Sequence, residues 1–524
     1  MNPTQYRRCP GIAMLGSLVL FLAVNAPARA QESWDAIYQG DLKIGHVHTF
    51  IEHVTNKGQK LLRVRVDMEM KQRRAKDVVT IKQRYGSIET PEGIMLKIDH
   101  RSLVGEDEIR TFGDVNTRAG QMNLTFETWG NGRKNSQHKT IPWEVDVRGP
   151  YAVEQSLARS PMKAGESRTL KMYMPDVNRV CEVTIAAKGT ETITLGDRKG
   201  HPLLRVEQTT TIDGQPRSEF DVTHWVDEHG QVLKSFQDLM GGLYLYRTTK
   251  EGATAPDTTV SVDSIVNSVI KVPQKISDSA NRHHVRYRVT HKTEDPAKLL
   301  PTDRRQTIET AGSTAVAVRS PNDGKRAGEA GADKNAVILD VRTMGPEDGE
   351  RGPAEVDEQF RRSNPMIASD DSLVQALARK AVGNATDPWE KAERIKRWVA
   401  KNLTDKNFST TFAPASEVAR NLQGDCTEHS VLAAAMYRAE GIPSRVAVGL
   451  MYVDHLGGFG YHMWNEVYVN GRWVALDSSF DQSAVDATHI KLSDSSLDGV
   501  APFESFLPVV RVMGKMNIEP IEIR

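Results

Sequence analysis

Cys426, His462 and Asp477 are a thiol, an imidazole and a carboxylate, in that chain order, within the last quarter of the chain. A thiol attacks carbonyl carbon well only as its thiolate, so it needs a base, and the base needs a group that orients it. Cys426 follows Gly424-Asp425 and precedes Val431, Leu432, Ala435, Met436 and Ala439 at helical spacing, with Gly441-Ile442-Pro443 as the stop. It therefore lies where a helix begins, and the positive end of the helix dipole favours the thiolate there. Ser444 to Val453 reads as a buried strand, and Tyr461 to Val469 reads as another that ends at Asn470-Gly471, a strong hairpin signal. With Arg472 to Asp477 as the return strand, a two-residue turn sets Val469 opposite Arg472 and Trp464 opposite Asp477. His462 shares the face of Trp464 and becomes a diagonal neighbour of Asp477, about 7–8 Å away at the backbone. Turn chemistry alone thus puts an imidazole beside a carboxylate.

These residues fall in four blocks. They are Gly424-Asp-Cys-Thr-Glu-His429, Arg438-Ala-Glu-Gly-Ile-Pro-Ser-Arg445, Tyr461-His-Met-Trp-Asn-Glu-Val467 and Trp473-Val-Ala-Leu-Asp477. In this order they resemble the transglutaminase-like superfamily core, a papain-like fold that includes cross-linking enzymes, bacterial proteases and amidases. The resemblance covers the C-terminal third of the chain. It implies Cys426 as nucleophile, His462 as general base and acid, and Asp477 as the orienting group. It implies a cysteine peptidase or amidase acting through an acyl-thioester, with no metal and no cofactor. Protein-glutamine gamma-glutamyl transfer uses the same triad and stays open, as does a non-catalytic exported binding or scaffold protein. Asp454 to Tyr461 is short and carries three glycines, which reads as a mobile loop with little apolar wall and favours hydrolysis.

Other readings of the same residues have their own chemistry. Cys426 and His429 form a C-x-x-H pair that could be half a metal site, but no second pair follows at zinc-finger spacing. A buried structural thiol would leave the pairing of His462 with Asp477 without a purpose. His429 reads as a packing or substrate-side residue, and His455 and His489 as scattered. Gln423 is a side-chain candidate for a second oxyanion donor beside the Cys426 backbone N–H. Cys181 lies on an alternating strand and reads as a buried apolar thiol. Trp464 and Trp473 read as core, with Trp464 placed to wall the cleft.

The elements that position this chemistry occupy a chain of 524 residues, enough for several domains. Lys plus Arg and Asp plus Glu both number 68, so no net basic field recruits nucleic acid or anionic membrane. Three cysteines are too few for a disulfide scaffold. Arg7-Arg8, an apolar run from Gly11 to Val24 and Ala28-Arg29-Ala30 have the order of a signal peptide over 1–30. No other stretch approaches spanning length, so an exported chain, periplasmic or secreted, is expected to have no stable membrane span after cleavage. Its partner would be a peptide or protein substrate, the cell envelope included.

The expected fold is multidomain: antiparallel β-rich N-terminal domains followed by an α+β papain-like, transglutaminase-like domain. The expected divisions are β-rich 31–150, β-rich 151–270, and a small β-rich unit 271–345 with a flexible loop at 320–335, followed by the catalytic domain 363–524. A brief helix is expected from Pro150 to Leu157. Helices are also expected after Asp370-Asp371-Ser372 and after Asp387-Pro388, with Thr488 to Leu492 and the tail to Ile523 closing the catalytic sheet.

Overall fold

The computed structural model describes residues 30–524, apart from 75–76, 105–106, 131–132, 240, 257–268, 311–335, 349–350, 405–411 and 500–501. Residues 1–29 of the expected signal peptide and the loop expected at 320–335 lie outside the described residues.

Alternating apolar and polar residues make the N-terminal half an antiparallel sheet of 15 strands. The boundary expected between 150 and 151 falls inside this one sheet. Strand Gln31–Gln39 pairs with Leu243–Thr248, Trp34 opposite Thr248 and Gln39 opposite Leu243, so the first and last strands are neighbours. The two β-rich units are therefore two arms of one sheet. The arms curl toward each other, and the Tyr85 hydroxyl donates to Asp176 at 2.9 Å across the gap. The short helix forms over Ala152–Arg159. Tyr151, just before it, and Glu154 within it lie against the concave side of the curled sheet, beside Arg247 and Asp35.

The middle unit is also completed from afar. His284–His291 pairs with Ala336–Arg342 on one side and with the C-terminal strand Met516–Ile523 on the other. The tail expected to close the catalytic sheet joins this four-stranded sheet instead, while His489–Ser495 joins the catalytic sheet beside Ser444–Val453.

The C-terminal region has the helices its caps dictate. Asp371 accepts the Leu373 and Val374 amides and starts Ser372–Val382; Asp387 accepts the Glu390 amide and starts Pro388–Asn402. Their apolar faces, with Val374, Ala378, Ile395 and Val399, share a core with helix Cys426–Ala439 and strand residues Val446, Val448, Met463 and Val467. That helix is buried almost all round, as expected of a central helix wrapped by others and backed by a sheet. The two halves of the chain meet at Leu507–Val512. Leu507 is buried in the core of the N-terminal sheet with Val183, Val206 and Phe220, while Val509 and Val512 belong to the catalytic core.

Candidate active site

Helix Cys426–Ala439 starts on a capping box that the spacing Asp425-x-x-Glu428 spells out. Asp425 Oδ1 accepts the Thr427 amide at 2.9 Å, and Glu428 Oε2 accepts the Asp425 amide at 3.0 Å. Gly424 has φ 135° and packs under Glu428, where a Cβ would fall 2.4 Å from Glu428 Cβ. Only glycine suits that place. Burial, with the neighbouring Asp425 carboxylate, pushes the Glu428 carboxyl up. Cys426 is the first helical residue and is half-buried.

The hairpin forms in the register expected. Asn470 and Gly471 both have positive φ, Val469 opposes Arg472, and Asn465 opposes Leu476, which sets Trp464 level with Asp477. His462 Nε2 meets Asp477 Oδ2 at 2.8 Å, with both residues buried. Asp477 also accepts the Ser479 amide at 2.7 Å. The strand is fastened to the cysteine helix one turn from Cys426. Asn465 Nδ2 donates to the Ser430 carbonyl at 2.8 Å, and the Ser430 hydroxyl donates to the Cys426 carbonyl at 2.8 Å. A second link runs through aromatic rings. The Ala413 amide donates to Glu428, while Phe412 and Tyr461 both contact the Phe506 ring, at 5.3 and 5.4 Å. The structure thus joins His462 to Asp477 directly and fixes the start of the Cys426 helix against the strand that carries His462.

His489 is the residue that sequence reading missed. It is fully buried, with Nε2 3.4 Å from Asp477 Oδ2 and Nδ1 3.1 Å from Asp486 Oδ1. Asp477 therefore sits between two histidines, and His489 between two carboxylates. Burial opposes charge on His489, but its bonds to Asp477 and Asp486 outweigh this and raise its pKa. Burial likewise opposes charge on Asp477, and the two histidines overcome it and hold the carboxyl well below its ordinary range. Trp464 is fully buried behind these rings, 6.1 Å from His462 and 5.3 Å from His489, so it backs the site rather than lining an open cleft. Phe480 is different: its ring lies 5.5 Å from His462 and it is 53% exposed.

The remaining candidates fall into place around this centre. His429 is buried, with Nδ1 2.8 Å from the Asp425 carbonyl oxygen, and packs within the helix. Among the described residues the group with metal-ligand geometry is His462, Asp477 and His489, their ligand atoms within 4.8 Å of one another; Cys426 and His429 are outside it. Gln423 is exposed. Cys181 is a buried free thiol donating to the Met172 carbonyl at 3.3 Å, and burial pushes it up to about 12. The glycine-rich segment before His462 is not the mobile loop expected. Gly458 to Tyr461 extends the histidine strand, pairing with Leu450 to Val453 on one side and with Ile270 and Lys271 on the other. Backbone pairing on both edges outweighs the glycine content.

The geometry defines a half-buried thiol at the start of a helix that packs against an antiparallel sheet carrying a His462–Asp477 pair. Residues 375–478 match the transglutaminase-like superfamily, and this C-terminal region belongs to it. An uncharacterized protein of Haemophilus influenzae is 27% identical over an alignment of 148 residues that covers 23% of this chain and 40% of that protein. The chain thus spans less than half the length of that relative. Among solved structures, a candidate cysteine protease from Cytophaga hutchinsonii aligns over 46% of this chain and 87% of its own, at 16% identity and a TM-score of 0.28. A β-barrel-like protein from Brucella abortus, a domain of unknown function, aligns over 42% of this chain and 95% of its own, at 8% identity and a TM-score of 0.29.

Proposed function

We propose that this chain is an exported thiol enzyme that cleaves amide bonds in peptides, cell-envelope peptides included, through Cys426, His462 and Asp477. The observation that carries this reading is the 2.8 Å contact of His462 with a buried Asp477, on a strand bonded to the helix that Cys426 opens. Asp477 engages Nε2, which leaves Nδ1 of His462 to take the thiol proton. The thiolate attacks the carbonyl carbon. The C–N bond then breaks as the imidazolium hands its proton to the leaving amine. Water, deprotonated by His462, attacks the thioester, giving a carboxylic acid and restoring the thiol. The Cys426 backbone N–H at the helix start supports the oxyanion. The leader-like order of residues 1–30 supports export.

The reading is tested with acyl-electrophile probes and a peptide-library screen on the wild type and Cys426→Ala. The variant is expected to lose all labelling and turnover while melting as the wild type does. Comparable turnover in the variant would end the nucleophile assignment. Amine transfer in place of hydrolysis is favoured by one observation, the pairing of Gly458 to Tyr461 into the sheet beside Phe506, which gives the site a fixed aromatic wall. A glutamine peptide offered with excess primary amine decides between them by the mass of the product.

A further inference from the structure

The N-terminal sheet encloses a cavity of about 320 Å³ that plays no part in the thiol chemistry. Its wall follows from strand register. Tyr85 opposes Val66, Val66 opposes Thr49, Met68 opposes Val47, Val47 opposes Asp35, and Asp35 opposes Arg247, so one face of five consecutive strands lines it. Residues before and within helix Ala152–Arg159 form the floor, and Met172 and Met174 come across from the opposite arm. Inward-facing Val66, Met68 and Leu245 are only partly buried, although a sheet normally packs such a face against something. The volume lies at the low end of small-molecule sites, about 300–1,000 Å³. Unbranched Met68, Met172 and Met174 adapt readily to a flexible apolar chain.

The polar groups say what head that chain carries. Arg247 Nε bonds Asp35 Oδ1 at 2.8 Å, and Tyr151 adds its hydroxyl to Arg247, so these two opposite charges satisfy each other. Glu154 faces the cavity beside them, and burial pushes its carboxyl up to about 7. On the far side Asp176 already receives the Tyr85 hydroxyl. An anionic head would face the Glu154 and Asp176 carboxyls with Arg247 already paired to Asp35, and a cationic head would compete with the Tyr85 hydroxyl for Asp176, whereas an uncharged one exchanges hydrogen bonds with Tyr151 and Glu154.

We propose that this cavity binds a single-chain amphiphile with an uncharged hydrogen-bonding head, such as a monoacylglycerol. The reading is independent of the thiol site. The test uses the full-length mature chain and N-phenyl-1-naphthylamine fluorescence, displaced by monodecanoylglycerol, decanoate or decyltrimethylammonium below their micelle concentrations. Saturable probe binding is expected, with the neutral amphiphile displacing it at about tenfold lower concentration than either ion, the equivalent of one lost hydrogen-bonded fit at about 1.4 kcal/mol. Val66→Trp fills the wall and is expected to abolish binding with the circular dichroism unchanged; Leu245→Phe, a smaller filling, serves if the tryptophan variant does not fold. Non-saturable binding, an affinity unchanged in the filled variant, or preference for either charged head would each overturn the proposal.

Discussion

Replacing Asp477 by Asn tests the core of the site without knowledge of the substrate. The change preserves size but removes the charge that faces His462 at 2.8 Å and His489 at 3.4 Å. A hydrogen bond to a charged group contributes about 1.5–3 kcal/mol. That energy favours moving the proton from Cys426 to His462, because only the imidazolium gains from the carboxylate. At about 1.36 kcal/mol per tenfold change, the thiolate population under mildly acidic conditions should fall about 10- to 150-fold. The rate of iodoacetamide alkylation reads this directly, followed by intact mass at about pH 5.5 and about pH 9.5. Only the acidic rate should drop, because at the alkaline end the thiol ionises without help. Cys181 does not interfere, being buried with its thiol pushed up to about 12. Overlaying pH–rate profiles for Asp477→Asn and the wild type would refute the orienting role of Asp477.

His489→Gln keeps neutral hydrogen bonds but loses the charge between Asp477 and Asp486, and should cost about 1.5–3 kcal/mol in urea unfolding. The raised pKa of His489 gives stability that is fully present below its unfolded value near about 6.5 and fades as pH rises through the folded value. The deficit of the variant should therefore shrink in alkali, and a constant deficit would mean His489 is neutral. Gly449→Ala places a Cβ 2.1 Å from the Ile490 carbonyl oxygen and 2.8 Å from the Trp464 ring, and should destabilise by about 1–3 kcal/mol, read as a lower urea midpoint. Phe480→Ala should raise KM for the best library peptide about tenfold with little change in kcat, since an exposed ring beside His462 binds substrate and transition state alike. A fall in kcat alone would assign Phe480 to holding the imidazole.

What was legible in the sequence was local. Asn470-Gly471 fixed the hairpin register, and with it the facing of His462 and Asp477, because a two-residue turn admits few alternatives. Asp371 and Asp387 announced their helices as caps do, and Asp425-x-x-Glu428 would have announced the third. His489 was illegible for a physical reason. Its strand pairs with Ser444–Val453 from across a long excursion, and the pairing shifts register between Val448 and Gly449, so no count from a nearby turn reaches it. The joining of Gln31–Gln39 to Leu243–Thr248 is equally remote. Composition told the same story of strands and turns on both sides of residue 150, and it carries no sign of which strands share a sheet. Gly458 and Gly460 misled because propensity is a weak guide where two neighbouring strands offer hydrogen bonds.

Remote pairings also tie the C-terminal region to the rest of the chain. The strand Met516–Ile523 leaves it to complete a sheet begun at His284–His291, so the chain must return to the middle unit before either is whole. Just before that strand, Phe506 and Leu507 point to different halves of the molecule. Phe506 packs on Phe412 and Tyr461 beside the thiol site, and the next residue is buried with Phe220 in the core of the N-terminal sheet. Thr128 of that sheet donates to the Pro365 carbonyl at 3.2 Å, a second tie at the entrance to the catalytic helices. A displacement of Leu507 without Phe506 would stretch the backbone between adjacent residues, which is stiff. The aromatic wall of the candidate site is therefore held by the β-sheet as much as by the C-terminal core, and the N-terminal half belongs to its construction.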